Sequence, residues 1–214
     1  MPSRTSARKP VLWIATRNRG KTREFSRLLR GLCRVRDLHG LPEFPEIKET
    51  GKTFAANAGI KARALSRVLR DRPILADDSG LVVPSLGGRP GVYSARFAGP
   101  QATDLANRTK LLRLLKTRSG HARQAYFEAC LVVSQNGAVL GSVSGRVWGQ
   151  ITTQEAGTKG FGYDPIFQPK GFSRTFGQLP DQTKHRISHR ARAVGNLKTQ
   201  LGKILAQMRT KKPI

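Results

Sequence analysis

The chain has 214 residues, enough for one large domain or two small ones, and its 38% hydrophobic and 24% charged content excludes a disordered polypeptide. Lys and Arg number 39 against 13 Asp and Glu, a formal net charge of +26 that points to anionic partners such as nucleotides, nucleic acid or an anionic membrane. No apolar run approaches the ~18 residues of a membrane span, and Cys33 and Cys130 form no CxxC pair, so two reduced cysteines are expected rather than a zinc or disulfide framework.

Residues 1–9 are basic and Ser/Arg-rich and read as a disordered tail before a single domain over 10–207, with a second basic tail over 208–214. The apolar run VLWIA is shorter than the roughly 7–15 residues of a signal-peptide core, which points to the cytoplasm. Residues 11–15 predict a buried strand. Phe25, Leu28, Leu29 and Leu32 then recur at helical spacing. Residues 33–38 suit a second strand, and 39–52 form a loop that holds Glu43, Glu46 and Glu49. Thr53 can cap a helix to about Arg70. After Pro73 a strand ILADD and a separate short strand over 81–86 are expected, then a Gly-rich loop to Gly99. Thr103 and Asp104 open a helix whose leucines at 111, 112, 114 and 115 face inward in part. Residues 122–135 and 138–148 predict two strands joined at Asn136-Gly137, a hairpin signal because both residues tolerate positive φ. A glycine-rich loop carries FGYDP at 161–165, and a last helix begins near Ser188. The pattern predicts a mixed α/β fold.

Four constellations carry chemistry. Thr16-Arg17-Asn18-Arg19-Gly20-Lys21 lies between a strand and a helix, where free backbone N–H groups and a lysine attract phosphate. Residues 15–22 also read A-x-x-x-x-G-K-T, close to a Walker A loop, and Ile74-Leu75-Ala76-Asp77 imitates a Walker B strand, so a P-loop NTPase competes on these segments. Asp77-Asp78-Ser79-Gly80 at a strand end is either a turn or a site carboxylate that holds Mg²⁺ or activates water. Phe161 and Tyr163 flank Gly162 and offer an aromatic face for a base, with Asp164 held extended by Pro165. Lys184, Ser188, His189 and Arg190 are either a solvated basic helix start or donors for a base carbonyl or phosphate.

TRNRGK at 16–21, LADDSG at 75–80, GGRPGVYSARFAG at 87–99, GFGYDPIF at 160–167 and ISHRARA at 187–193 follow one another as in the inosine-triphosphate pyrophosphatase family, and the chain resembles it from about Val11 to the last helix. The P-loop reading leaves the last three segments unexplained. The resemblance implies two lobes around an elongated central sheet with a nucleotide in the cleft between them, and a homodimer. It implies Mg²⁺-dependent hydrolysis of non-canonical purine triphosphates (ITP, dITP, XTP) to the monophosphate and pyrophosphate, cleansing the nucleotide pool. By the same resemblance Asp78 is the catalytic, metal-binding carboxylate and Lys21 assists it. Thr16, Asn18 and Lys21 bind the triphosphate, with Arg17, Arg19 and Gly20 in the same segment. Lys61 and Ser79 contact substrate, Phe161, Gly162, Tyr163 and Asp164 form the base loop, and Lys184, His189 and Arg190 surround the base.

The chain departs from that pattern in places. Lys48-Glu49 stands where relatives often carry a Glu pair, and Ala56 where a Glu is common. The second metal carboxylate is therefore open, with Glu49 ahead of Glu43 and Glu46. Nucleic-acid binding through the basic surface is the rival from another class.

Overall fold

The structure is a computed structural model that describes residues 9–41 and 43–210, the side chains of 206–210 excepted. Strand β1 (Val11–Ile14) is the apolar run expected there, with three of its four residues buried. It pairs in parallel with β2 (Arg34–Asp37) and with β3 (Ile74–Val82). Helix α1 (Arg19–Leu28) connects β1 to β2, and α2 (Phe54–Val68) leads into β3. Thr53 caps α2 as expected, its side chain accepting the Ala56 N–H. From β3 onward the sheet is antiparallel, through β4 (Gln124–Gln135), β5 (Ala138–Ile151) and the short β6 (Phe167–Pro169), in the order β2-β1-β3-β4-β5-β6. The β4–β5 hairpin turns at Asn136 and Gly137, with φ of 52° and 82°. Both values are positive, as a tight turn matched to strand twist requires.

Two lobes form along this sheet. In one, Leu12, Ile14, Leu75, Leu131 and Val133 pack with Phe25 of α1 and with Leu197 and Leu201 of α5 (His189–Thr210). The opposite sheet face of this lobe packs Trp13, Ile74, Ala76 and Val132 against Ala58, Ala62 and Leu65 of α2. The second lobe gathers Leu111 and Leu115, within and just after α3 (Asp104–Leu114), around Phe127, Phe167 and Phe176. The Phe127–Phe167 and Phe167–Phe176 ring centroids lie 4.7 and 5.4 Å apart. Each such ring contributes roughly 1.5–3 kcal/mol through burial.

The structure departs from the sequence expectations in four places. Residues 74–82 form one strand, not two, so LADDSG lies inside β3 and not at its end; residues 84–86 are a 3-10 turn. Turn propensity at Asp-Asp-Ser-Gly yields to cross-strand pairing, Asp77 opposite Leu131 and Asp78 opposite Cys130. Strand β5 runs on to Ile151, and the three-residue β6 pairs with its end. A further helix, α4 (Asp181–Ile187), precedes α5, so Lys184 sits within one helix while His189 and Arg190 open another. Helix α5 continues to Thr210, into the segment expected as a basic tail. The expected N-terminal tail falls outside the described residues apart from Lys9, and 211–214 fall outside them too.

Candidate active site

The segment expected to bind phosphate is the β1–α1 turn. Asn18 caps α1, its Oδ1 accepting the Lys21 N–H at 3.0 Å, and Thr16 Oγ1 accepts the Asn18 N–H at 3.1 Å. This geometry presents the positive end of α1 to an anion, with the Lys21 N–H already taken by the cap. Arg19 is exposed as the first residue of the helix. Arg17 runs along the loop after β2, donating to the Phe44 carbonyl at 2.7 Å. Gly20 lies under the Phe161 ring, where a Cβ would come within 2.8 Å of it. Lys21 reaches inward, its Nζ 2.7 Å from Asp77 Oδ2.

Successive strand residues face opposite sides of a sheet, so β3 sends its two carboxylates to different partners. Asp77 is buried beside Lys21 and Arg190, and accepts from the Ser79 hydroxyl at 3.1 Å. Burial favours its neutral form, but Lys21 and Arg190 outweigh this and hold the carboxyl well below the usual range. Asp78 turns the other way. Its Oδ1 is 3.3 Å from Lys61 Nζ, which also donates to Glu49 Oε1 at 2.8 Å. Burial pushes the Asp78 carboxyl above its ordinary value and nearby Glu49 adds to this, against the pull of Lys61. Glu43 and Glu46 are exposed, whereas Glu49 lines the same cleft as Asp78.

Asp78 Oδ2 is buried with no hydrogen-bond partner among the described residues. This oxygen and the Glu49 carboxylate are hard donors, and one or two carboxylates are what Mg²⁺ takes from a protein when substrate phosphates and water complete its shell. The residues present therefore fit a magnesium ion.

At the other end of the cleft the Phe161 ring lies under two cations, Lys184 Nζ at 4.7 Å and the Arg190 guanidinium at 5.3 Å. Lys184 Nζ is 2.6 Å from Asp164 Oδ2 and 2.8 Å from Glu24 Oε1. Arg190 pairs with Glu24 Oε2 at 2.8 Å. His189 is buried and stacks on Phe127, with ring centroids 4.9 Å apart. Burial, reinforced by Arg190, keeps its pKa well below 6.5, so the imidazole is neutral, and Nδ1 has no partner among the described residues. The Tyr163 hydroxyl donates to the Ser94 carbonyl at 2.9 Å, so this ring braces the loop while Phe161 offers the face.

The structure thus brings Asn18, Lys21, Glu49, Asp78, Ser79, Phe161, Gly162, Tyr163, Asp164, Lys184, His189 and Arg190 to one cleft. Lys61 touches its two carboxylates. Thr16 and Gly20 shape the segment, Arg17 bonds the loop after β2, and Arg19 is exposed. Sequence reasoning missed Glu24 and the clamp at Asp104, and it named Asp77 beside Asp78 without giving it a part of its own. With Glu24 and Asp77 the ions alternate in sign as Asp164, Lys184, Glu24, Arg190, Asp77 and Lys21, joining the Phe161 end of the cleft to the start of α1. The available signal for Glu24 was its isolation: it is the lone acid in the basic stretch from Arg17 to Arg36.

A mixed α/β protein of two lobes, with an ion-lined cleft running from a helix N-terminus to an aromatic platform, is a nucleotide-binding class of architecture. The chain belongs to the Ham1 family, whose model matches residues 12–200. The dITP/XTP pyrophosphatase of Geobacter sulfurreducens is 43% identical over 192 residues, 89% of this chain and 96% of that protein. The solved HAM1 protein from Coxiella burnetii superposes with a TM-score of 0.80 at 37% identity, covering 91% of this chain and 99% of its own. A structure from Mycobacterium abscessus, a nucleoside-triphosphatase / dITP/XTP pyrophosphatase, gives 0.71 at 39% identity over 87% and 98%. These matches span all five segments, so the Walker-like reading of 15–22 and 74–77 falls away.

Proposed function

We propose that this protein is a nucleoside-triphosphate pyrophosphatase that hydrolyses dITP, XTP and ITP to the monophosphate and pyrophosphate. The carrying observation is the pairing of buried Asp78 and half-buried Glu49 through Lys61, in the same cleft as Asn18 and Lys21 at the start of α1. The curated names of relatives such as the Geobacter sulfurreducens protein support the same activity.

The triphosphate carries about four negative charges near neutral pH, and attack on it by water needs that charge offset. The α1 N–H groups and Lys21 hold the phosphates. Asp78 accepts a proton from the attacking water and directs it at the α-phosphorus. Asp78 and Glu49 would hold Mg²⁺, which neutralises phosphate charge and favours pyrophosphate departure. Phe161 stacks on the purine, and donors from Lys184, His189 and Arg190 face its 6-keto oxygen. Adenine puts an amino group there and leaves those donors unpaired, at roughly 1–3 kcal/mol or more. A homodimer belongs to the same reading, through the resemblance to its family, and a cytoplasmic location is part of the proposal.

The test is incubation with dITP, XTP, ITP and dATP, with and without Mg²⁺. Pyrophosphate released from the keto purines, and its loss on chelation, supports the reading. Orthophosphate as the first product, or equal turnover of dATP, refutes it.

A further inference from the structure

Beside its own bond from the Phe161 N–H to Asp164 Oδ2, the base loop is held from outside, because its middle residue is clamped by another helix. Asp104, the first residue of α3, accepts the Gly162 N–H through Oδ2 at 2.7 Å. One turn along, where i and i+4 share a helix face, Arg108 donates to the Gly162 carbonyl at 2.9 Å. Both backbone groups of Gly162 are therefore taken by one face of α3. Gly162 has φ of 63°, so its peptide sits in a conformation that glycine reaches freely and a bulkier residue rarely does. Arg108 is in turn paired with Glu155 at 2.9 Å.

The same turn of α3 also grips a second segment of the cleft lining. Asn107 is buried, accepts the Ala98 N–H at 2.7 Å and donates to the Ala95 carbonyl at 3.0 Å. Ala95 and Arg96 line the same cleft as the base loop. Lys110 reinforces this segment through the Phe97 carbonyl at 2.5 Å. One helical turn, Asp104 to Arg108, thus bonds both the base loop and the Ala95–Ala98 segment.

We propose that Asp104 and Arg108 are positioning residues that set the placement of Phe161 and so tune the hold on the purine. The proposal rests on the reading that Phe161 seats the base. Neither residue needs to touch the phosphates or the attacking water, so their effect falls on binding and not on the chemical step. The acceptor on Asp104 is what matters, and an amide oxygen can supply it. Thr103 still caps α3 through the Ala106 N–H when Asp104 is replaced, so the helix survives.

The experiment measures kcat and KM for dITP, with melting temperature, in Asp104→Ala, Asp104→Asn and Phe161→Ala. Asp104→Ala should raise KM roughly tenfold with a much smaller change in kcat, and Asp104→Asn should return KM close to the parent value. If Phe161→Ala raises KM while Asp104→Ala leaves it unchanged, the clamp is refuted. An Asp104→Asn variant as impaired as Asp104→Ala, or a loss of kcat at fixed KM, refutes it equally. If Phe161→Ala itself leaves KM unchanged, the seat of the base is wrong, and the underlying reading fails with it.

Discussion

Two neighbouring carboxylates on β3 do different work because the strand turns them to opposite faces. Asp77 is compensated by Lys21 and Arg190 and stays ionised. Asp78 keeps an unpartnered oxygen and a raised pKa, which suits a base that must take up and release a proton. Asp78→Asn should therefore lower kcat by roughly 10²–10⁴ while the melting temperature stays near the parent value; steady-state kinetics beside calorimetry check this. Glu24 gives a second prediction at this scale. Burial opposes its ionisation, but Arg190 and Lys184 win and hold its pKa at about 2, below the ordinary 4.5. Its folded-state pKa is depressed, so its stabilisation is complete above 4.5, declines as pH falls and is gone below about 2. Glu24→Gln should cost about 3 kcal/mol at neutral pH and flatten the acid limb of stability in denaturant titrations between these values. A variant with the parent's acid limb would show that Glu24 is not the linked group.

At the scale of elements, helix α5 delivers His189 and Arg190 to the cleft by lying directly on β5. Gly145 makes this approach possible: a Cβ there would press on the backbone nitrogen of Ala193 and the carbonyl of His189. Gly145→Ala should push α5 off the sheet, destabilise the protein by roughly 1–3 kcal/mol and raise KM for keto purines. An unchanged KM would mean that α5 seating does not set the base donors. The elements most legible in the sequence were those with strong local signals. The apolar run of β1, the Thr53 and Thr103 caps and the Asn136-Gly137 turn all stand where local chemistry placed them. The unbroken β3 was not legible, because what keeps Asp77 and Asp78 extended is pairing with a strand some fifty residues later in the chain. Helix α4 was hidden because Pro180 precedes it with no side-chain cap. Motif reading placed Asp78, Lys21 and Phe161 in one cleft, but Glu24 and Asp77 act as partners to other side chains and Asp104 to the Gly162 backbone, roles that no motif spells out.

For the whole molecule, the cleft works because two lobes share one sheet and a chain of alternating ions crosses between them. The buried cations are largely matched by acids at the site, so much of the +26 charge lies elsewhere on the chain. A field of that sign steers anionic substrates toward the protein and is screened by salt. kcat/KM for dITP should thus fall several-fold as ionic strength rises toward the physiological range, with kcat changing less; a salt-independent kcat/KM would remove steering from the account. The central claim, that Asp78 delivers water to the α-phosphorus, is tested most directly by hydrolysis of dITP in ¹⁸O-labelled water. The account predicts the label in the nucleoside monophosphate and none in pyrophosphate. Label recovered in pyrophosphate or orthophosphate would contradict it.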